Sequence, residues 1–193
     1  ALGRARTEPV DDLARLNFAV RVDAPGTLLR DYQTAKDWAT DPNGAASLST
    51  RYYLSDAVFV AAVEGDQEAL KNIESALKKP VYPLYLGRRS CPAGYDLVLG
   101  IREESAEEAL RNEEWHVPEH RRAEFSDPVQ LRILRDAKPG EQGDLVQDVP
   151  VSFNQEHRQY AVRAVVSAEP KTVENPKGKR HSDVDFMRTV TEA

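Results

Sequence analysis

Phe18, Val20 and Val22 alternate with Ala19 and Arg21, the two-residue period of a half-buried strand. Asp11 to Leu16, just before it, suits a short helix, and Asp23-Ala24-Pro25-Gly26, just after it, is strong turn punctuation. Thr27 to Thr34 and Leu48 to Leu54 read as two further extended runs. The stretch between them, Asp37 to Ser47 with its Asp41-Pro42-Asn43-Gly44, is too polar for a core. Together these segments predict a protruding hairpin over about residues 27–54. From Asp56 to Glu64 the chain is apolar on both faces: Val58, Val60 and Ala62 on one, Phe59, Ala61 and Val63 on the other. A strand of that kind is expected in the middle of a sheet, covered on both sides.

Helical spacing follows. Leu70, Ile73 and Leu77 recur behind Asp66, a suitable N-cap, while Lys78 and Lys79 suit the negative C-terminal end and Pro80 stops the helix. Tyr82 to Gly87 then returns as a strand. Ala1-Leu2-Gly3-Arg4 resembles a helix end with Gly3 at the terminating position, so the chain is expected to begin mid-domain. With one strand and most of one helix supplied ahead of it, the order becomes βαββαβ. The expected fold class is therefore α+β, a ferredoxin-like or RRM-like domain over residues 1–91 lacking its first strand and most of its first helix. Beyond Pro92, Leu97 to Ile101, Val129 to Leu134, Val149 to Phe153 and Tyr160 to Val166 read as strands, and Ser105 to Glu108 as a capping box. These predict a small β-rich lobe over 92–168, followed by an extended or disordered tail over 169–193.

Composition narrows the function classes. No apolar run approaches the roughly 20 residues that span a bilayer, and no signal segment opens the chain. The single cysteine, Cys91, rules out an internal disulfide and suits a reducing compartment, so a cytoplasmic protein is expected. The net charge of −6 argues against nucleic-acid binding as a whole-chain property. Its distribution changes that picture, because residues 102–127 hold nine acidic and four basic side chains, and the rest is near neutral. Lys78 to Cys91 carries Lys78, Lys79, Arg88 and Arg89 with no acid among them, which leaves a local basic site open.

That stretch includes Tyr82-Pro83-Leu84-Tyr85-Leu86-Gly87-Arg88-Arg89-Ser90-Cys91-Pro92. An exposed Tyr85 can stack on a base, Arg88 and Arg89 can meet phosphates, and Gly87 lets backbone approach a ligand. On spacing alone, core tyrosines and a solvated basic turn account for it better. The run at 85–92 resembles the hallmark of the CasD subunit family of the type I-E CRISPR Cascade complex. Leu29-Arg30-Asp31-Tyr32-Gln33-Thr34 and Thr50-Arg51-Tyr52-Tyr53-Leu54-Ser55-Asp56-Ala57 are similar to two further segments of that family, in the same order. Members begin with a Leu-Arg-Leu-Ala-Gly-Pro strand, a basic loop and a Phe-Pro-Thr segment, none of which matches here.

The resemblance implies a non-catalytic subunit that caps the 5′ handle of a CRISPR RNA, its hairpin serving as a thumb between RNA and the neighbouring backbone subunit. By motif position, Arg51, Tyr85, Arg88 and Arg89 contact the handle, and Arg30 and Tyr32 help to position the thumb or the RNA. Partners implied are the guide RNA, the backbone and large subunits and, through guide pairing, target DNA, with no membrane, metal or cofactor. Two alternatives stay open: a metal-independent endoribonuclease acting on precursor RNA, and a protein scaffold without RNA contacts. For the nuclease, the candidate acids and bases are His116, His120, His157 and His181, all better read as surface or structural. Pro118 between His116 and His120 spoils a metal-binding helix, and Cys91 is expected as a packing residue.

Overall fold

The computed structural model describes residues 1–5, 7–36, 39–94, 97–154 and 156–180. In chain order they form α1 (Asp11–Ala14), β1 (Asn17–Ala24), β2 (Thr27–Ala35), β3 (Ser47–Ser55), β4 (Val58–Glu64), α2 (Gln67–Lys78) and α3 (Ala106–Asn112). A 3₁₀ turn over Glu119–Glu124 precedes β5 (Ser126–Asp127), β6 (Val129–Asp136), β7 (Asp144–Ser152), β8 (Gln159–Val173) and β9 (Lys179–Arg180). The fold is α+β. Its main sheet runs β4-β1-β6-β8-β7, with β2-β3 and β5-β9 as separate pairs.

Local chemistry explains where the helices start. The Asp66 carboxylate accepts the Glu68 and Ala69 amides, both at 3.0 Å, and opens α2. At α3 the expected capping box is complete: Ser105 Oγ accepts the Glu108 amide while the Glu108 carboxylate accepts the Ser105 amide at 3.1 Å. Lys78 pairs with Glu74 one turn back at 2.7 Å.

Two compact units divide the chain: residues 1–21, 61–114 and 130–172 in the first, and 22–60, 115–129 and 173 onward in the second. Each draws on chain from both sides of residue 91, because β1 and β4 share one sheet with β6, β7 and β8. In the first unit, Val10, Ala19, Leu110, Leu131 and Ile133 are buried. Trp115, Val117, Val129 and Val60 fill the second, where Trp115 meets Phe125 edge to face at 5.5 Å and Arg122 lies 5.0 Å from its ring centre.

Several expectations are corrected. On β1 the buried side is the one that reads as polar: Ala19, Arg21 and Asp23 are buried, whereas Phe18 is exposed. Arg21 is 0% exposed and donates to the backbone oxygens of Leu110 (2.5 Å), Glu113 (2.6 Å) and Glu114 (2.5 Å) at the C-terminal end of α3. The charge is tolerated because it meets carbonyls that the helix end leaves without donors. Asp23 does comparable work in the second unit, its carboxylate accepting the His116 amide and its carbonyl the Trp115 indole N–H.

β4 lies at the edge of the sheet, with Phe59 and Val63 exposed, and β1 is its neighbour among the described residues. Neither Tyr82–Gly87 nor Leu97–Ile101 forms a strand; no described strand pairs with either, and Val81, Tyr82, Leu86, Leu97 and Leu99 are exposed. Ala1 to Arg4 is not helical, although Gly3 does take a left-handed φ of +74°, held against Val81. Within the expected tail, β8 continues to Val173, and β9 pairs in parallel with β5. Buried Asn175 fastens this part, its Nδ2 donating to the Arg122 and Ser126 carbonyls. Residues 181–193, including His181, lie outside the described residues.

Candidate nucleic-acid interface

The segments expected to contact RNA fall in different units, and each is built in its own way. In the second unit, β2 and β3 pair antiparallel without a break from Thr27↔Ser55 to Ala35↔Ser47. Gly26 makes the turn into β2 with φ +74°, and a side chain there would strike the Ser55 carbonyl and Ala57. Asp56, just past β3 at the same base of the hairpin, also takes positive φ, at 60°, so β4 begins at Val58 and not at Asp56.

Paired residues of an antiparallel ladder share a face, and neighbours along a strand point oppositely. One face therefore carries Asp31 opposite Arg51, Leu29 opposite Tyr53 and Gln33 opposite Ser49. The other carries Arg30 opposite Tyr52, Tyr32 opposite Thr50 and Leu28 opposite Leu54. Arg30 and Tyr32 are thus brought together, while Arg51 faces the other way. Arg51 is half-buried, and Arg30, Tyr32 and Tyr52 are exposed. Among the described residues, the Arg51 side chain makes no hydrogen bond or ion pair even with Asp31 across the ladder, which leaves its guanidinium fork available to an anionic ligand.

The motif Tyr85 to Pro92, in the first unit, is a tight loop rather than a strand. The Ala93 amide donates to the Leu84 carbonyl, the Leu86 amide to Cys91 (2.7 Å) and the Cys91 amide to Arg88 (2.9 Å), and Tyr85 and Pro92 form a single bridge. Gly87 takes φ +78° with open space where a side chain would sit. Arg88 and Arg89 therefore occupy the tip of a β-turn, the first half-buried and the second exposed, while Tyr85 stands 50% exposed beside them. An aromatic ring, open backbone at a glycine and two guanidinium groups can receive a splayed base and its phosphates. Cys91 is half-buried in this loop, its Sγ 3.9 Å from Ser90 Oγ.

The acidic stretch is occupied internally. Glu107 accepts from Arg111 and Arg135, Glu108 closes its capping box, Glu113 pairs with Arg102 and Glu119 with Lys177. Hydrogen bonding from Arg111 first, then Arg135, holds Glu107 below the usual carboxylate range, and Lys177 does the same to Glu119. His157 lies between β7 and β8 and is exposed, with Nδ1 3.1 Å from the Glu156 carbonyl. Sequence reasoning missed Arg21, because alternation alone marks it as solvent-facing, and Asp23, which reads as the start of a turn. It also missed Tyr52, whose place on the Arg30 face becomes visible only with the register.

These surfaces define a class: an α+β protein that presents arginine and tyrosine side chains on an open hairpin and on a glycine-led turn. The family model described as CRISPR-associated protein (Cas_Cas5) matches residues 1–166, and the chain belongs to that family. The Cascade subunit CasD of Escherichia coli (strain K12) is 38% identical to it over 115 residues, covering 51% of each sequence. The chain thus spans about half the length of that curated relative. A chain of a solved CRISPR RNA-guided surveillance complex is similar over 98% of this chain and 81% of its own, at 28% identity and a TM-score of 0.69. A solved Cas protein is similar over 92% and 77%, at 31% identity and a TM-score of 0.61. Among the described residues, no helix is long and apolar enough to cross a membrane.

Proposed function

We propose that this chain is a non-catalytic subunit of a type I-E CRISPR surveillance complex that holds the 5′ handle of the guide RNA. Its relatives are named as a Cascade subunit and as part of an RNA-guided surveillance complex, which supports the general role. The observation that carries the finer reading is the Tyr85–Pro92 turn, where exposed Tyr85 and Arg89 flank a left-handed Gly87 with open space above it. In this proposal Tyr85, Arg88 and Arg89 grip one part of the handle and Arg51 another. Arg30 and Tyr32 belong to the hairpin that acts as the thumb. The ferredoxin-like plan is part of the same proposal, as are the backbone and large subunits as neighbours. Target DNA is met through guide pairing and not through these side chains.

The test is co-expression of the full-length protein with its partner subunits and a repeat array, followed by sequencing of the RNA that co-purifies. One uniform 5′ handle is expected in the wild type. Its recovery falls in Arg51→Ala and in Arg88→Ala/Arg89→Ala, with the salt dependence of binding reduced by roughly 0.7 per lost phosphate contact. Partner recovery without RNA enrichment, or no effect of these changes, sinks the proposal and favours the scaffold. Cleavage of repeat RNA by the purified chain alone favours the nuclease instead.

A further inference from the structure

We propose that the groove between α1 and α2 receives a lysine side chain from a neighbouring protein of the complex. This rests on the assembly role proposed above and names one contact within it. The groove lies inside the first unit and encloses about 260 Å³. Leu13 of α1 and Leu16 just past it line one side, and Ala69 and Ile73 of α2 line the other. All four are half-buried. Gly65 lets Leu16 come close, because a side chain at that position would strike it.

The rim of this groove is acidic. Arg4 donates to both carboxylate oxygens of Asp12 and neutralises it. Asp66 spends Oδ1 on the Glu68 and Ala69 amides, and among the described residues its second oxygen accepts no hydrogen bond. The Glu68 and Asn72 side chains make none there either. Three carboxylates against one guanidinium leave the groove with two uncompensated negative charges. An anion is the usual ligand of a helix N-terminus, but here two of the amides are already taken by Asp66 and the rim repels it.

Size and charge together select the occupant. At about 260 Å³ the groove is smaller than the roughly 300–1,000 Å³ of a small-molecule pocket, and it suits a single side chain. Glu68 and Asn72 are four apart and share one row of α2, beside the row of Ala69 and Ile73. An aliphatic stem can therefore lie along the apolar row while its charged head reaches the polar one. The rim offers three acceptors: the second Asp66 oxygen, the Glu68 carboxylate and the Asn72 amide oxygen. An ammonium has three donors to match them. A guanidinium fork favours one carboxylate held bidentate, and Arg4 already holds Asp12 in that way. A free alkylamine would give up its translational freedom for one small contact, whereas a side chain carried by a docked subunit does not.

The experiment is zero-length carbodiimide coupling of the complex assembled with the full-length protein, followed by mass spectrometry of the linked peptides. A carbodiimide joins a carboxylate only to an amine in contact with it. The expected link runs from Glu68 to a lysine of another protein chain. In parallel, Glu68→Lys is expected to lower recovery of that chain about tenfold, with guide RNA retained. Asn72→Asp, which adds a carboxylate to the rim, is expected to raise its retention at high salt. Damage to α2 would lower recovery in both variants, so the opposite signs separate lost docking from lost folding. Asp66 is left in place because it caps α2. A Glu68 that couples only to lysines of its own chain or to none, or unchanged recovery of the neighbour in Glu68→Lys, overturns the inference. Absence of RNA from the wild-type complex would instead defeat the proposed function, while docking is still read from the Glu68 link.

Discussion

Replacing Arg21 by methionine keeps most of the aliphatic stem and removes the donors at the end of α3. The guanidinium serves the Leu110, Glu113 and Glu114 carbonyls, and Lys171 Nζ also donates to Glu113 at 2.6 Å. Among the described residues, the Leu110 and Glu114 carbonyls therefore lose the side-chain donor they have. An unsatisfied buried acceptor costs roughly 1–3 kcal/mol, so the expected destabilisation is about 4 kcal/mol. A domain of ordinary stability has about 5–15 kcal/mol in hand, so the variant should fold but unfold at a much lower denaturant concentration. Arg21→Lys keeps the charge but not the planar fork, and falls between. The assay is equilibrium urea unfolding followed by tryptophan fluorescence and, separately, by circular dichroism. A loss under about 1 kcal/mol in Arg21→Met would refute the claim that these hydrogen bonds hold α3 in place.

Two more predictions concern the Tyr85–Pro92 turn and acid stability. Gly87→Ala must hold an alanine at φ +78° and is expected to open the turn by about 1 kcal/mol, raising hydrogen exchange at the Leu86 and Cys91 amides roughly fivefold. Gly87→Asn, which tolerates that backbone, should exchange near the wild-type rate; equal exchange in both variants would remove positive φ as the reason for glycine. Asp12 is held at about 2 by its hydrogen bond from Arg4, Glu141 at about 2 by Arg135, and Asp148 below its usual value by Arg163. Folded values below unfolded ones mean stability that is fully present above about pH 4.5 and is lost as pH falls toward about 2. A urea midpoint that stays level over that window, or a Glu141→Gln variant with the same slope as wild type, would contradict this.

Local signals were legible where the residue and its reason sit within four positions of each other. Asp66 and Ser105 cap their helices through their own following amides, and the polar 37–47 stretch between two extended runs forces a hairpin. What escaped depends on residues far apart. Arg21 is buried because a helix end 89 residues later supplies carbonyls, and no periodicity encodes that. Tyr82 to Gly87 has strand composition, but a strand also needs a neighbour, and the described chain gives Tyr85 only a bridge to Pro92. The candidate site was legible as motifs. Its division into two hairpin faces was not, since Arg30 and Arg51 become opposed only once Asp31 is seen to pair with Arg51.

The fold also shows why the exposed arginines and tyrosines are where they are. The arginines near the small cores are consumed by structure: Arg21 at a helix end, Arg135 between Glu107 and Glu141, Arg163 between Asp136 and Asp148. An arginine so engaged cannot also bind phosphate without giving up those partners, at a cost of several kcal/mol for the buried one. Arg30, Arg51 and Arg89 make no such bonds among the described residues, and they sit on backbone that is held by its own ladder or turn. An acidic chain can thus carry a local anion-binding surface, because its acids neutralise the structural arginines and leave the projecting ones to a ligand. Neutralising Arg51 or Arg89 should therefore weaken RNA retention without lowering the unfolding midpoint, whereas Arg135 and Arg163 should show the reverse.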